Sequence, residues 1–329
     1  METTSLEDLW REHAYDWDLE TRTLLEHALR PSTLKSYDSV LVKFQSFCKK
    51  CNYPYFPTTT AAVAHFLNYI SQHVERPGPI LISASAAIAG MYKGSNHADP
   101  TKNQLLAMLK QAIINTGTKR PRKNTPTFPV EKLTNYIVTL GDNNIMNIKD
   151  LRAKAISLLA LVGLFRPSDL ALLTQGQITF TDTSLSLANF GGKTDKNKEG
   201  IPTTITAATS PALCPVRTLR AYINKTADIR AKIDGSPIFI YLDKSVKSRS
   251  DGAAALSAER VAKITMTLVA AGIEETTARS FRKTGASTAI NKGVDPDLVM
   301  KLGRWKSPEV FFKHYVDWEQ SSLTDAILE

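Results

Sequence analysis

Between residues 32 and 48 the apolar and aromatic positions Leu34, Tyr37, Val40, Leu41, Phe44 and Phe47 recur at the three-and-four spacing of one helix face. Pro31 stands just ahead, where a first-turn residue has no intrahelical amide bond to lose. The same spacing predicts helices over 60–71, 80–92 and 104–114, set apart by Pro54, Pro57, Pro77, Gly78, Pro79 and Pro100. The first third of the chain thus reads as a small all-helical domain.

Residues 130–140 and 148–164 are helical in pattern, and Pro167 opens a further turn over 168–173. The period then changes. Alternating and β-branched residues over 177–180, 185–188 and 203–207, broken by Gly191, Gly192 and Gly200, predict a small antiparallel sheet whose loop holds residues 193–199. A short strand over 237–241 would extend it. Helical spacing returns over 215–228, 257–271, 279–292 and 297–302 and ends in an aromatic segment, 305–318. The expected fold is mainly α and two-domain: an acidic segment over 1–20, a helical domain over 21–117, a basic linker over 118–129, and a mainly helical domain with a small antiparallel sheet over 130–329.

A chain of 329 residues is about two domains long, and 43% hydrophobic with 22% charged residues excludes a disordered, collagen-like or disulfide-stapled chain. The longest apolar run, 155–165, lies between Lys154 and Arg166 and falls short of the roughly 18 to 20 residues of a membrane span. It reads as a buried helix, and no membrane partner is expected. Cys48 and Cys51 form a lone C-x-x-C without the further ligands of a zinc site, so they and Cys214 read as ordinary buried thiols, and no metal is expected.

Net charge is +9, but residues 1–20 carry seven acids against one base, which leaves the rest of the chain at +15. An acidic opening is unlike a signal peptide, and the chain is expected inside the cell. Its Leu6, Trp10, Tyr15, Trp17 and Leu19 are too many large apolar residues for a purely solvated tail; packing, a partner, or masking of the basic surface all fit. A basic body suggests a polyanion, usually nucleic acid, although solvated lysine faces give the same arithmetic. The linker bases Lys119, Arg120, Arg122 and Lys123 fit a solvated tether, phosphate contacts along a duplex, or a nuclear import signal.

Three clusters carry candidate chemistry. Arg166 ends the most apolar helix and has Asp169 three residues on, either as a structural pair or as a preoriented phosphate clamp. Arg279 and Arg282 open a helix, a place that favours anions, and its Gly285, Ala286, Ser287 and Ala289 permit close packing. Leu302-Gly303-Arg304-Trp305 is followed by Phe311, Phe312, His314 and Tyr315: a core stripe, or an indole N–H and a phenol nucleophile for a phosphodiester.

In order and spacing, Arg166, Arg279-x-x-Arg282, Leu302-Gly303-Arg304-Trp305 and Tyr315 resemble the Arg, His-x-x-Arg, His-or-Trp and Tyr pattern of the tyrosine recombinases, also called the phage integrase family. Arg282 and Trp305 lie 23 positions apart, Trp305 and Tyr315 lie 10. Gly192-Lys193-Thr194-Asp195 resembles the site of the family's catalytic lysine, and residues 32–44 resemble the first DNA-contacting helix of its core-binding domain. The phrasing Ser280-Phe281-Arg282 and Gly303-Arg304-Trp305 is similar to recombinases of eukaryotic DIRS-like and Crypton-like mobile elements.

The resemblance implies a helical core-binding domain and a mainly helical catalytic domain that clamp double-stranded DNA. It implies Arg166, Lys193, Arg279, Arg282, Trp305 and Tyr315 as catalytic residues, with Asp169 and His314 supporting. Lys35, Tyr37, Lys43, Lys119, Arg120, Arg122 and Lys123 would bind DNA. Tyr315 would form a 3′-phosphotyrosyl bond and Lys193 would protonate the leaving 5′-oxygen, without metal, ATP or other cofactor. A synapse would hold four protomers, monomers or dimers existing otherwise, to integrate or excise a mobile element, in the nucleus if the host is eukaryotic. Arg279 departs from the pattern: arginine cannot accept a proton where the family has His, and His314 is the only histidine after residue 97. Two other readings stay open, a catalytically silent DNA-binding descendant and a type IB topoisomerase-like enzyme; the small N-terminal domain argues against the second.

Overall fold

The computed structural model describes residues 5–117, 125–189, 195, 197, 199–231, 235–242, 255–267, 271–273 and 276–317. The chain divides into two compact units, Met1–Arg122 and Lys123–Glu329.

The first unit is all helical, with α1 (Leu6–His13), α2 (Leu19–Leu24), α3 (Pro31–Cys51), α4 (Thr60–His73), α5 (Pro77–Met91) and α6 (Gln104–Thr116). Pro31 starts α3 as expected, and the helix ends where Asn52 turns left-handed, φ 54° and ψ 40°, its amide donating to the Cys48 carbonyl. Three residues at the end of α3 escape the periodicity because Lys49 and Lys50 continue it on the solvent side. The expected apolar stripe is the core: Leu34, Leu41 and Phe44 of α3 meet Val63, Phe66 and Leu67 of α4 and Leu81 and Ile88 of α5. Cys48 is buried among them, whereas Cys51 is exposed, a correction to its reading as a buried thiol.

The acidic N-terminal segment packs only in part: Leu6 and Trp10 are buried, whereas Tyr15, Trp17 and Leu19 are exposed. Ser5 and Asp8 form a reciprocal cap on α1, which buries Leu6, Leu9 and Trp10. The Trp10 indole donates to the Gly90 carbonyl at 2.8 Å, and a Cβ on Gly90 would come within 3.2 Å of Leu6. α1 therefore belongs to the core, and only its charged face is solvated.

The second unit comprises α7 (Val130–Thr139), α8 (Ile148–Val162), α9 (Pro167–Ala171), β1 (Ile178–Phe180), β2 (Ser184–Asn189), β3 (Ile201–Thr206), α10 (Pro215–Lys225), α11 (Ala227–Arg230), α12 (Ala258–Thr267), α13 (Ala278–Asn291), α14 (Pro296–Gly303) and α15 (Pro308–Tyr315). Every residue of α8 from Leu151 to Leu161 is buried, so this helix is the axis of the unit. Lys154, expected to flank the buried run, lies within it, fully covered; its ammonium donates to Asn143 Oδ1 at 2.8 Å, and burial pushes its pKa down. α8 stops two residues early because Leu164 turns left-handed at φ 50°.

The sheet is antiparallel in the order β1-β2-β3, with Leu187 opposite Thr203 and Leu185 opposite Ile205. Leu185, Leu187 and Ile205 enter the main core. The strand expected over 237–241 does not form: the structure has isolated bridges at Thr174 with Pro237 and at Ile240 with Ala255. Pro237 has no amide to continue a ladder. A second, smaller core gathers Leu164, Ala286, Ile290, Val299, Met300, Trp305, Phe311 and Val316. Among the described residues no helix is long and apolar enough to cross a membrane.

Because Leu6 is fully buried, Leu6→Ala is expected to destabilise the first unit by about 2–5 kcal/mol in denaturant titrations. An unchanged unfolding midpoint would mean that α1 is an appendage.

Candidate active site

The site grows from the turn between α8 and α9. Leu164, left-handed, aims its carbonyl inward, and Arg166 follows with Pro167 at the first position of α9. Asp169 accepts the Arg166 amide at 3.1 Å and pairs with its guanidinium at 3.5 Å. This is the structural Arg–Asp pair allowed by the sequence, yet Arg166 Nη1 has no hydrogen-bond partner and the side chain stays 23% exposed. The cation is held by its acid at the buried Nη1, and the rest of its side chain is partly exposed.

α13 brings the next residue. A Cβ on Gly285 would run into the Leu161 carbonyl and the Leu164 side chain, so glycine lets α13 lie directly on α8. One turn earlier, Arg282, only 2% exposed, donates to the carbonyls of Leu164 and Gly303. α14 closes at Gly303, where any Cβ would meet the Trp305 ring; Arg304 takes the left-handed position at φ 60°.

The indole folds back from there. Trp305 covers the Arg282 guanidinium at 4.0 Å and meets the Tyr315 ring edge-on at 4.7 Å and 61°. Tyr315 is half-buried, its ring 5.4 Å from the Arg282 guanidinium. Ser307 caps α15, buried Phe311 roots it, and Ser287 of α13 donates to the Tyr315 carbonyl at 3.1 Å and accepts the Asp317 amide at 2.9 Å. Asp317 also pairs with Lys283, itself 4% exposed. The candidate nucleophile is thus tied to the helix that carries Arg282.

Electrostatics explain what this cluster wants. Arg166, Arg282 and Arg304 face one carboxylate, Asp169, with Arg304 3.5 Å from it. Burial above all, then the charges of Arg166 and Arg304, push Arg282 down to about 9. Burial likewise pushes Arg304 down to about 10, against the pull of Asp169. Both stay cationic at neutral pH, so the group holds more positive charge than its acid offsets. Arg282 Nε and Trp305 Nε1 are buried without hydrogen-bond partners, donors to spare for an anion; Arg304 Nε is buried without a partner too, but its guanidinium is turned to Thr203, Leu164 and Asp169.

Of the residues expected from sequence, Arg166, Asp169, Arg282, Trp305 and Tyr315 come together. Arg279 does not join them: it lies exposed on the first turn of α13. His314 is half-buried and leaves α15 about 100° round the helix from Tyr315, as successive residues do. Lys193 and the linker residues Lys119, Arg120, Arg122 and Lys123 lie outside the described residues. In the first unit Lys35 and Lys43 are exposed on α3, whereas Tyr37 is half-buried against the core. Sequence reasoning missed Arg304, a buried cation beside a candidate tryptophan; its only signal was that position.

Residues 130–321 match the model of the phage integrase family. An integrase/recombinase xerD homolog from Selenomonas ruminantium is 24% identical over 305 residues, 90% of this chain and 84% of the relative. The XerH site-specific recombinase bound to palindromic difH substrate in a post-cleavage complex has a similar fold, with TM-score 0.61, 14% identity and coverage of 99% and 96%. So has a lambda integrase tetramer bound to a Holliday junction, with TM-score 0.52, 14% identity and coverage of 97% and 80%.

Among the described residues Asp169 is the acid that pairs with this cluster, and removing it leaves the guanidiniums less compensated. Asp169→Asn is therefore expected to lower stability by about 3–5 kcal/mol, and added inorganic sulfate to restore part of it. Thermal unfolding with and without sulfate checks both; an unchanged melting temperature would show that the charges are already balanced.

Proposed function

The chain belongs to the phage integrase family, the tyrosine recombinases, and from that premise we propose how its own residues cleave and rejoin DNA at a specific site. The observation that carries the proposal is the pairing of a buried cationic cluster, undercompensated by Asp169, with a tyrosine ring 5.4 Å from one of its guanidiniums.

The scissile phosphate enters at Arg166, the least buried arginine of the cluster, and its nonbridging oxygens take hydrogen bonds from Arg166, Arg282 and the Trp305 indole. Tyr315 gives up its phenolic proton to water as it attacks phosphorus; the new bond runs from its phenolic oxygen to the 3′-phosphate, and the bond to the 5′-oxygen breaks. Lys193, at the position of the family's lysine motif, gives that oxygen its proton. The phosphodiester energy is kept in the phosphotyrosyl ester, so a 5′-hydroxyl from another strand reverses the step and joins new partners. Asp169 holds Arg166. Arg279, outside the cluster, adds positive charge at its mouth, and His314 supports the tyrosine helix.

Duplex DNA is the substrate. Lys35 and Lys43, exposed on α3 with Tyr37 beside them, and the linker bases Lys119, Arg120, Arg122 and Lys123 bind its phosphates. The lambda integrase tetramer on a Holliday junction supports a four-protomer synapse. The likeness to mobile-element recombinases supports integration or excision of such an element, in the nucleus where the host has one. One observation favours a second reading, a silent DNA-binding descendant: the family's histidine is replaced by an exposed arginine, Arg279.

A nicked suicide duplex separates the two, built on a site selected from a randomised library by the Tyr315→Phe chain. Wild type is expected to form a covalent protein–DNA adduct that Tyr315→Phe abolishes; binding without adduct establishes the silent reading. Arg166→Ala is expected to slow cleavage by about 100- to 1000-fold while most binding persists. Unchanged cleavage would remove Arg166 from the site.

A further inference from the structure

Arg304 has no part in the proposed chemistry, yet it is built into the cluster with unusual care. It occupies the left-handed position after α14, at φ 60° and ψ 41°, where glycine is the usual residue and Gly303 stands one place earlier. An arginine in that slot is held by what its side chain does. Nη1 donates to Thr203 Oγ1 at 2.9 Å, Nη2 donates to the Leu164 carbonyl at 3.2 Å and lies 3.5 Å from Asp169, and the guanidinium covers the Phe165 ring at 4.2 Å. The residue is 6% exposed. Both terminal nitrogens are engaged, so Arg304 is not presented to a substrate as Arg166 is.

What it joins is informative. Leu164 O also accepts from Arg282, and Asp169 also holds Arg166, so Arg304 touches the anchor of each phosphate-facing arginine. Thr203 lies in β3, opposite Leu187 of β2 and 3% exposed. Among the described residues, the Arg304–Thr203 bond is the one side-chain hydrogen bond that ties the sheet to the arginine cluster. β3 is the return strand of the hairpin whose loop carries Lys193. On the β3 side of Lys193 in sequence, Asp195 is 5% exposed and its carboxylate accepts the amides of Glu199 and Gly200 at 3.1 Å each. Three residues beyond Gly200 comes Thr203.

We propose that Arg304 is a positioning residue that fixes the β2–β3 hairpin to the phosphate-binding arginines through Thr203, and so sets the proton donor against the leaving 5′-oxygen. This rests on the reading of Lys193 as that donor. It goes beyond it by assigning the coupling between donor and phosphate site to one guanidinium and one hydroxyl.

The test changes the leaving group. Two nicked duplexes on the selected site differ at one atom, the 5′-oxygen of the scissile phosphate being replaced by sulfur in the second. With oxygen, breaking the P–O bond needs a proton for the departing alkoxide. With sulfur, the P–S bond breaks to a thiolate, a weak enough base to leave without a proton donor, since a model thiol titrates at about 8.5. Cleavage rates are measured for Lys193→Ala, Arg304→Gln, Thr203→Val and Arg166→Ala, with DNA affinity and melting temperature alongside.

Lys193→Ala and Arg304→Gln are expected to lose about 100-fold or more on the oxygen duplex and to recover most of the wild-type rate on the sulfur duplex. Arg166→Ala is slow on both. Thr203→Val follows Arg304→Gln with a smaller loss, and carries the test if Arg304→Gln does not fold. If Arg304→Gln and Thr203→Val stay slow on sulfur while Lys193→Ala recovers, Arg304 serves the phosphate or the fold, and the proposal fails with the proton-donor reading intact. If Lys193→Ala itself stays slow on sulfur, the donor reading fails and takes the positioning role with it. Full-speed cleavage of the oxygen duplex by both Arg304→Gln and Thr203→Val overturns the proposal outright.

Discussion

Buried guanidiniums cannot shed their charge, so wherever a fold gathers several of them it must also supply acceptors and anions. Here Arg166, Arg282 and Arg304 converge on one carboxylate, Asp169, and on backbone carbonyls of Leu164 and Gly303. The carbonyls satisfy donors without neutralising charge. The remaining positive charge, with unpartnered donors on Arg282 and Trp305, is a demand for one more anion. In the proposed reaction a phosphodiester meets it, and the Tyr315 ring lies beside the cluster, 5.4 Å from the Arg282 guanidinium.

The surrounding structure serves this arrangement through close approaches. Gly285 lets α13 touch α8, and Gly303 lets Trp305 turn back over Arg282. Leu164 and Arg304 both take the left-handed conformation, one to aim a carbonyl and the other to aim a guanidinium at that same carbonyl. Strain of this kind persists only where neighbouring contacts hold it. Ser287 and the Lys283–Asp317 pair then bind the end of α15 to α13, so that Tyr315 is fastened to the helix that carries Arg282.

Much of this was legible in the sequence. The apolar spacing of α3 and α4 identified helices whose buried faces are those seen, because burial of a face is what creates the periodicity, while α8, covered on all sides, was legible as the longest apolar run. Arg166, Asp169, Arg282, Trp305 and Tyr315 were recognisable by order and spacing. Arg304 was not, because a buried arginine in a turn has no periodic signature and its contacts reach 101 residues away to Thr203. The strand over 237–241 was misread because β-branched composition does not show that Pro237 breaks the ladder. Arg279 was placed with Arg282 by motif, but it points to solvent while Arg282 is enclosed.

The most direct measurement is a crystal structure of the Tyr315→Phe chain bound to its uncut, selected duplex. The expected density places the scissile phosphate within hydrogen-bond distance of Arg166, Arg282 and the Trp305 indole nitrogen, with position 315 in line behind phosphorus. A phosphate bound elsewhere on the chain, with Trp305 still closed over Arg282 and no anion in the cluster, would contradict the claim that these charges are there to hold it.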